Sequence, residues 1–247
     1  MAKSDASGVH ESQANWSRRE WFGLVGGVAV AGLFHPFYSG VKAFNSLTIA
    51  GCVVSPQQEE GPYFVDEKLN RSDIRTDPGT GKVSAGVPLD VVLTVMSVGK
   101  KECRPLAGAT VDIWHCDAAG VYSDERDRFG SFGDTRGQKF LRGYQVTDAS
   151  GVARFTTIYP GWYPGRPVHI HYKVRTSDGK EFVSQLYFDE KTTDAVYSLE
   201  PYKQKKQRDT MNTDDSIYRD GGNMSMLALK TKGEGYSAQY NVGFMSS

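Results

Sequence analysis

Charge of one sign is missing from this chain of 247 residues: 29 Lys and Arg offset 29 Asp and Glu, for a formal charge of +0 with the five histidines neutral. Neutralising phosphates takes a basic surplus and an acidic disordered tail takes the reverse, so the balance argues against both and for a small-molecule partner, with no nucleic acid. Cysteine is scarce too. Three residues, Cys52, Cys103 and Cys116, exclude a disulfide-dense scaffold, and without a C-x-x-C spacing they make a zinc or thiol-exchange site improbable. Two of them can pair in an oxidising compartment, in any of three ways, leaving one over. No apolar run reaches the roughly 18 residues of a membrane span, no H-E-x-x-H pattern is found, and past the N-terminal region there is neither a long helical stripe nor an internal repeat. What is present is 39% hydrophobic and 12% aromatic residues, enough for one core of ordinary size.

The N-terminus reads as an address. Ser17-Arg18-Arg19-Glu20 precedes a glycine-rich apolar run from Trp21 to Phe34, broken by His35 and Pro36, which has the form of a twin-arginine export signal. Export to the periplasm or the outside is therefore expected, with no stable membrane span in the mature protein. Ile49-Ala50-Gly51-Cys52 has the form of a lipoprotein box, but the polar stretch around Lys42 and Asn45 separates it from the run, so lipid attachment at Cys52 is the minor alternative. The chain divides into a signal and linker over 1–45 and one folded domain over 46–247.

Beyond residue 80 the pattern is one of short strands. Leu89, Val91, Leu93 and Val95 alternate with Asp90, Val92, Thr94 and Met96, the period-two signature of a strand with one buried face. Further strands are expected over 109–114, 152–158, 168–175 and 182–188, divided by turns such as Asp148-Ala149-Ser150-Gly151 and Ser177-Asp178-Gly179, with a last pair over 224–230 and 238–244. Strands at this spacing imply an all-β, antiparallel sandwich with long loops. The stretch from Glu190 to Asp215 reads as a long surface excursion.

Chemistry concentrates between Trp114 and Gln185. In the strand holding His169-Ile170-His171, Val168, Ile170, Tyr172 and Val174 share one face, so the two imidazoles leave together from the other. Neutral imidazole suits iron, zinc and copper alike. Few carboxylates stand near the pair, whereas tyrosines abound, and a phenol with its ordinary pKa of about 10 becomes a ligand at neutral pH only on a strongly Lewis-acidic ion such as ferric iron. Tyr172 points to the wrong face, while His115 reads as a core or supporting residue and Trp114 as core.

Val111-Asp112-Ile113-Trp114-His115-Cys116-Asp117-Ala118-Ala119-Gly120-Val121-Tyr122 and Thr157-Ile158-Tyr159-Pro160-Gly161-Trp162-Tyr163-Pro164-Gly165-Arg166-Pro167-Val168-His169-Ile170-His171 resemble the intradiol ring-cleavage dioxygenases. Glu60-Gly61-Pro62-Tyr63, Gly108-Ala109 and Ser184-Gln185-Leu186-Tyr187-Phe188 are similar to flanking segments of that family, closest to its compact exported branch. Tyr159 is off the family's ligand position. The resemblance implies a non-haem Fe(III) held by Tyr122, Tyr163, His169 and His171. It also implies cleavage of a catechol-type diol by O2, between the hydroxylated carbons, to a muconate-type dicarboxylic acid. In that scheme Tyr163 serves as an internal base, Arg166 stabilises charge developing on the ring, and Gln185 orients oxygen. Two departures touch the substrate pocket: a short Tyr163-to-His169 loop and Ser123-Asp124-Glu125 after the first tyrosine. The rival of another class is a secreted β-sandwich that binds a metal or ligand without turnover, for which Arg166 and Gln185 have no evident use. A metal-dependent hydrolase comes third.

Overall fold

Alternation of apolar and polar residues builds the first long strand, β1 (Pro88–Val98). Leu89, Val91, Leu93 and Val95 are fully buried, and the residues between them are half-buried on the other face. Eight more strands follow among the described residues: β2 (Cys103–Pro105), β3 (Thr110–Trp114), β4 (Arg142–Val146), β5 (Val152–Ile158), β6 (His169–Arg175), β7 (Glu181–Tyr187), β8 (Leu229–Lys232) and β9 (Gly235–Met245). The computed structural model describes residues 52–99, 102–126 and 134–245, all within the unit Phe44–Ser247. The arginine pair, the apolar run and Ile49-Ala50-Gly51 lie outside the described residues, and so does the proposed boundary at 45.

Two sheets share these strands. One runs β2-β1-β9-β8 with β5 also on β1; the other runs β4-β3-β6-β7. Their inner faces meet in one apolar cluster, with Leu89, Val91, Leu93 and Val95 from β1 and Val111, Ile113, Ile170, Tyr172, Val174, Phe182 and Leu186 from β3, β6 and β7. This is the expected β-sandwich, antiparallel except where β1 pairs with β9 in parallel from Leu89–Tyr236 to Val98–Met245. The first long strand and the last can run side by side because the whole domain lies between them as the crossover. Cys52 pairs with Cys103, tying the start of the described chain to β2, and Cys116 is left free and buried.

Two expectations are corrected. Glu190 to Asp215 is not a loop over the surface: it contains α1 (Glu190–Tyr197), capped by Asp189 accepting from Thr192 N, and it buries Thr193, Val196, Tyr202, Arg208 and Asn212. Its polar composition hid the packing, because Arg208 is buried by pairing with Glu190 and Asp194. Residues 222–225 form a turn and Met226 bridges Tyr187 in parallel, so the last hairpin begins only at Leu229. Strand β4 escaped notice because Arg142-Gly143-Tyr144-Gln145-Val146 carries no apolar alternation.

Candidate metal centre

The outer face of the second sheet is where the sequence departs from water-facing polarity. On β6 the outward residues His169, His171 and Lys173 are as buried as the inward ones. Strand register places Trp114 and Gln185 directly opposite His171, and Tyr187 opposite His169, so one row of the sheet brings five functional-type side chains together. A cover makes this possible. Residues 58–66 cross the face, with Gln58 N donating to Val183 O, Glu60 paired with Lys173 at 3.0 Å, and Asp66 paired with Arg175 at 3.1 Å. Gly61, at φ +73, passes so close that a Cβ would stand 3.3 Å from His171 Cε1. A short segment, α2 (Ser216–Arg219), closes the β7 side, where Gln58 Nε2 donates to Ile217 O at 2.8 Å.

Two loops deliver the tyrosines. After β3, Asp117 accepts from Ala119 N and Val121 N at 2.9 Å each, folding a turn that ends at Tyr122. Gly120, at φ +86, allows this turn to lie on the Trp162 carbonyl, which a Cβ would strike at 2.0 Å. Gly161 N in turn donates to Asp117 O at 3.0 Å, so the Gly-Val-Tyr and Gly-Trp-Tyr segments are bound edge to edge. The rings of Tyr122 and Tyr163 then meet at 5.6 Å, Tyr122 lies 6.4 Å from the His171 ring, and Tyr163 lies 5.6 Å from the His169 ring.

Donor atoms face one another across this cluster. His169 Nδ1 lies 2.7 Å from Pro167 O, and a carbonyl can only accept, so the proton sits on Nδ1 and Nε2 presents its lone pair. That Nε2 is 3.0 Å from His171 Nε2 and 3.3 Å from Tyr163 Oη. Tyr122 Oη is buried with no hydrogen-bond partner among the described residues. Burial holds both imidazoles neutral, with pKa values well below the ordinary one, an effect reinforced at His169 by Arg166 and at His171 by His169 and Arg166. Burial also pushes both phenols up, opposed at Tyr163 by the Arg166 cation.

Converging imidazole nitrogens beside an orphaned buried phenol are what a cation would satisfy, and the donor set fits a ferric ion. Among the described residues no three His, Cys, Asp or Glu side chains gather as a metal site, so any ion here depends on the phenols. His115 and Asp117 stand at an H-x-D spacing, but both are spent on structure. His115 bonds Thr157 Oγ1 and Cys116 O, and Asp117 folds the turn above.

All six residues read from the sequence, Tyr122, Tyr163, Arg166, His169, His171 and Gln185, fall in this cluster. Arg166 Nε donates to Asp215 at 3.0 Å and its Nη2 donates to Gln185 Oε1 at 2.5 Å. Several neighbours were not read. Tyr63 stacks on Tyr122 at 4.3 Å, and Trp114, expected only in the core, stacks on His171 at 4.9 Å with the planes 7° apart. Tyr187 donates to Gln185 at 3.1 Å; its place two residues along the same strand was the available signal. Nothing local marks Asp215.

The family described as Dioxygenase matches residues 59–199, over half of the chain, and the chain belongs to that family, the intradiol ring-cleavage dioxygenases. A catechol 1,2-dioxygenase of Candida albicans is 29% identical over 162 residues, covering 56% of this chain and 50% of that protein. The protocatechuate 3,4-dioxygenase beta chain of Burkholderia cepacia is 36% identical over 168 residues, covering 62% and 68%. The chain thus spans about half the length of the first of these curated relatives. Among solved structures, an intradiol ring-cleavage dioxygenase from Tetranychus urticae superposes with a TM-score of 0.68 at 32% identity, covering 78% of this chain and 94% of that one.

Proposed function

We propose that this protein is an Fe(III)-dependent intradiol dioxygenase. It would open a catechol-type ring between its two hydroxylated carbons with O2, yielding a muconate-type dicarboxylic acid. Tyr122, Tyr163, His169 and His171 would hold the ion. The observation that carries the reading is the buried Tyr122 hydroxyl, without a hydrogen-bond partner among the described residues, beside two imidazoles whose Nε2 atoms face each other at 3.0 Å. A ferric ion so held supplies Lewis acidity that favours phenolate and catecholate and withdraws electron density from the ring.

The protein's own groups divide the remaining work. Tyr122 is sealed under Tyr63 and serves as a permanent ligand. Tyr163 is the more accessible phenol, and although burial raises its pKa against the opposing Arg166 cation, its oxygen, if held as phenolate on the ion, would be placed to take a proton from an arriving diol. Burial acts against the Arg166 charge, but Tyr163 and Asp215 outweigh it, leaving its pKa raised. A fixed cation of this kind stabilises negative charge developing on the ring. Tyr63, Tyr122 and Tyr163 make an aromatic wall that suits a planar substrate. An aromatic diol is supported by the names of the Candida and Burkholderia relatives.

Export through the twin-arginine segment belongs to the same reading. The Cys52–Cys103 disulfide supports an oxidising destination and opposes lipid attachment at Cys52, since one sulfur cannot serve both. Changing Arg18 and Arg19 to Lys should strand the protein in the cytoplasm; undiminished export would overturn this part. For the activity, the visible spectrum decides. The ferric protein should show a tyrosinate charge-transfer band that shifts on adding catechol without oxygen and recovers when oxygen is admitted and a muconate forms. A protein that stays colourless after ferric loading is not a dioxygenase of this kind.

A further inference from the structure

Arg166 sits in a short turn between Pro164 and Pro167, which fixes its backbone but not its long side chain. A free arginine side chain has many rotamers, and stabilising charge at one place on a ring requires that it occupy one of them. Two side chains hold it. Asp215 Oδ2 accepts from Nε at 3.0 Å, and Gln185 Oε1 accepts from Nη2 at 2.5 Å.

Neither holder is itself free to move. The Asp215 side chain is 4% exposed, and its second oxygen accepts from Ile217 N at 2.8 Å as the cap of α2. Gln185 is fully buried: its Nε2 donates to Glu59 O at 3.0 Å, and its carbonyl accepts from Tyr187 Oη at 3.1 Å as well as from Arg166. Both lone pairs of that carbonyl are therefore committed.

We propose that Asp215 and Gln185 form a two-point clamp that sets the Arg166 guanidinium, and that both are positioning residues acting on the reaction through Arg166. The role expected for Gln185, orienting oxygen directly, is replaced by this one. The clamp also places a full negative charge on Arg166, so the pocket's cation is balanced before substrate arrives. Rings without a carboxylate are then favoured over rings that carry one. The proposal rests on the dioxygenase reading above.

Asp215→Asn removes the charge and leaves one acceptor oxygen for two donors, Arg166 Nε–H and Ile217 N–H, whereas Asp215→Ala removes charge and acceptors together. With the ferric band intact, Asp215→Ala should lower kcat for catechol by about 10- to 100-fold, the cost of a misplaced catalytic group. Anaerobic affinity for catechol, read from the band shift, should change by less than about threefold, because a group acting on the transition state alone leaves ground-state binding unaltered. Asp215→Asn, with the charge removed, should raise the affinity for protocatechuate relative to catechol, and an unchanged ratio would overturn the charge balance. Gln185→Ala combined with Asp215→Ala should be less damaging than the product of the single effects. In the full chain before iron loading, the Arg166 Nε–H resonance, identified by its loss in Arg166→Lys, should be protected from exchange and lose that protection in Asp215→Ala. Unaltered kcat and unaltered protection in Asp215→Ala would overturn the clamp. Absence of the ferric band from the unsubstituted protein would instead overturn the dioxygenase reading, and the resonance would still test the clamp.

Discussion

The two sheets obey different rules on their outer faces. In the first, β1 buries Leu89, Val91, Leu93 and Val95 and turns half-exposed residues outward, so one face holds the core and the other meets solvent. The second has no such division at β6, where Ile170, Tyr172 and Val174 fill the core while His169, His171 and Lys173 are buried on the far side. Residues 58–66 provide the cover; beneath them Lys173 is paired with Glu60, His169 and His171 are candidate ligands, and Trp114 Nε1, under Phe64, has no partner among the described residues. A sheet face can thus carry buried polar chemistry only when a separate segment excludes water and supplies partners. The first sheet contributes stability and the second contributes the site.

Removing a ligand should separate the two most sharply. His171→Gln should abolish the charge-transfer band and the turnover, while thermal unfolding of the metal-free protein is little changed, since the amide fills most of the space of the ring and the lost Nδ1 has no partner among the described residues. A large fall in metal-free stability would mean that the site also supports the fold. The reverse holds on the first sheet: Leu93→Ala should cost about 2–5 kcal/mol in denaturant unfolding through the cavity left behind, with an unchanged band per folded molecule. A loss of about 2–4 kcal/mol is expected when Cys103→Ser opens the link across the 51 residues from Cys52, again without effect on the band.

Acid should act through the second sheet and its neighbours. His115, His169 and His171 are all buried with lowered pKa values, His115 to about 4. The unfolded chain therefore binds protons that the folded one refuses, and stability present above about pH 6.5 is lost as the pH falls toward 4. Asp112, raised to about 6 by burial despite Arg175, opposes this by taking a proton in the folded state. Three refusals against the uptakes at Asp112 and at Asp117, which burial also raises, leave the net sign destabilising, to be checked by metal-free unfolding at pH 7 and pH 5. The smallest effect belongs to the cover: Glu60→Gln breaks a partly exposed pair with Lys173 and should cost less than about 1 kcal/mol. A larger loss, with a changed spectrum, would show that this strap sets the ligand geometry.

Legibility in the sequence followed the range of the interaction. Strand β1 was readable from its alternation, and the shared face of His169 and His171 follows from their being two residues apart in a strand. Tyr122, Tyr163, Arg166 and Gln185 were named through family likeness, since no local pattern distinguishes a ligand tyrosine from Tyr172 in the core. Asp215 carried no signal and Tyr63 only a segment likeness that assigned it no role, because each matters for what lies 49 residues away at Arg166 or 59 away at Tyr122.

By itself, the order of residues determined the period-two strands, the turns between them and the chelating disposition of the histidine pair, all consequences of backbone geometry over a few residues. Tertiary structure decided the parallel pairing of β1 with β9, the meeting of two tyrosine loops at Gly120 and Gly161, the cover over the second sheet and the hold of Asp215 on Arg166. These arise from closing one core around two sheets. Which distant segments then touch depends on how the whole chain excludes water, and no short stretch of it contains that information.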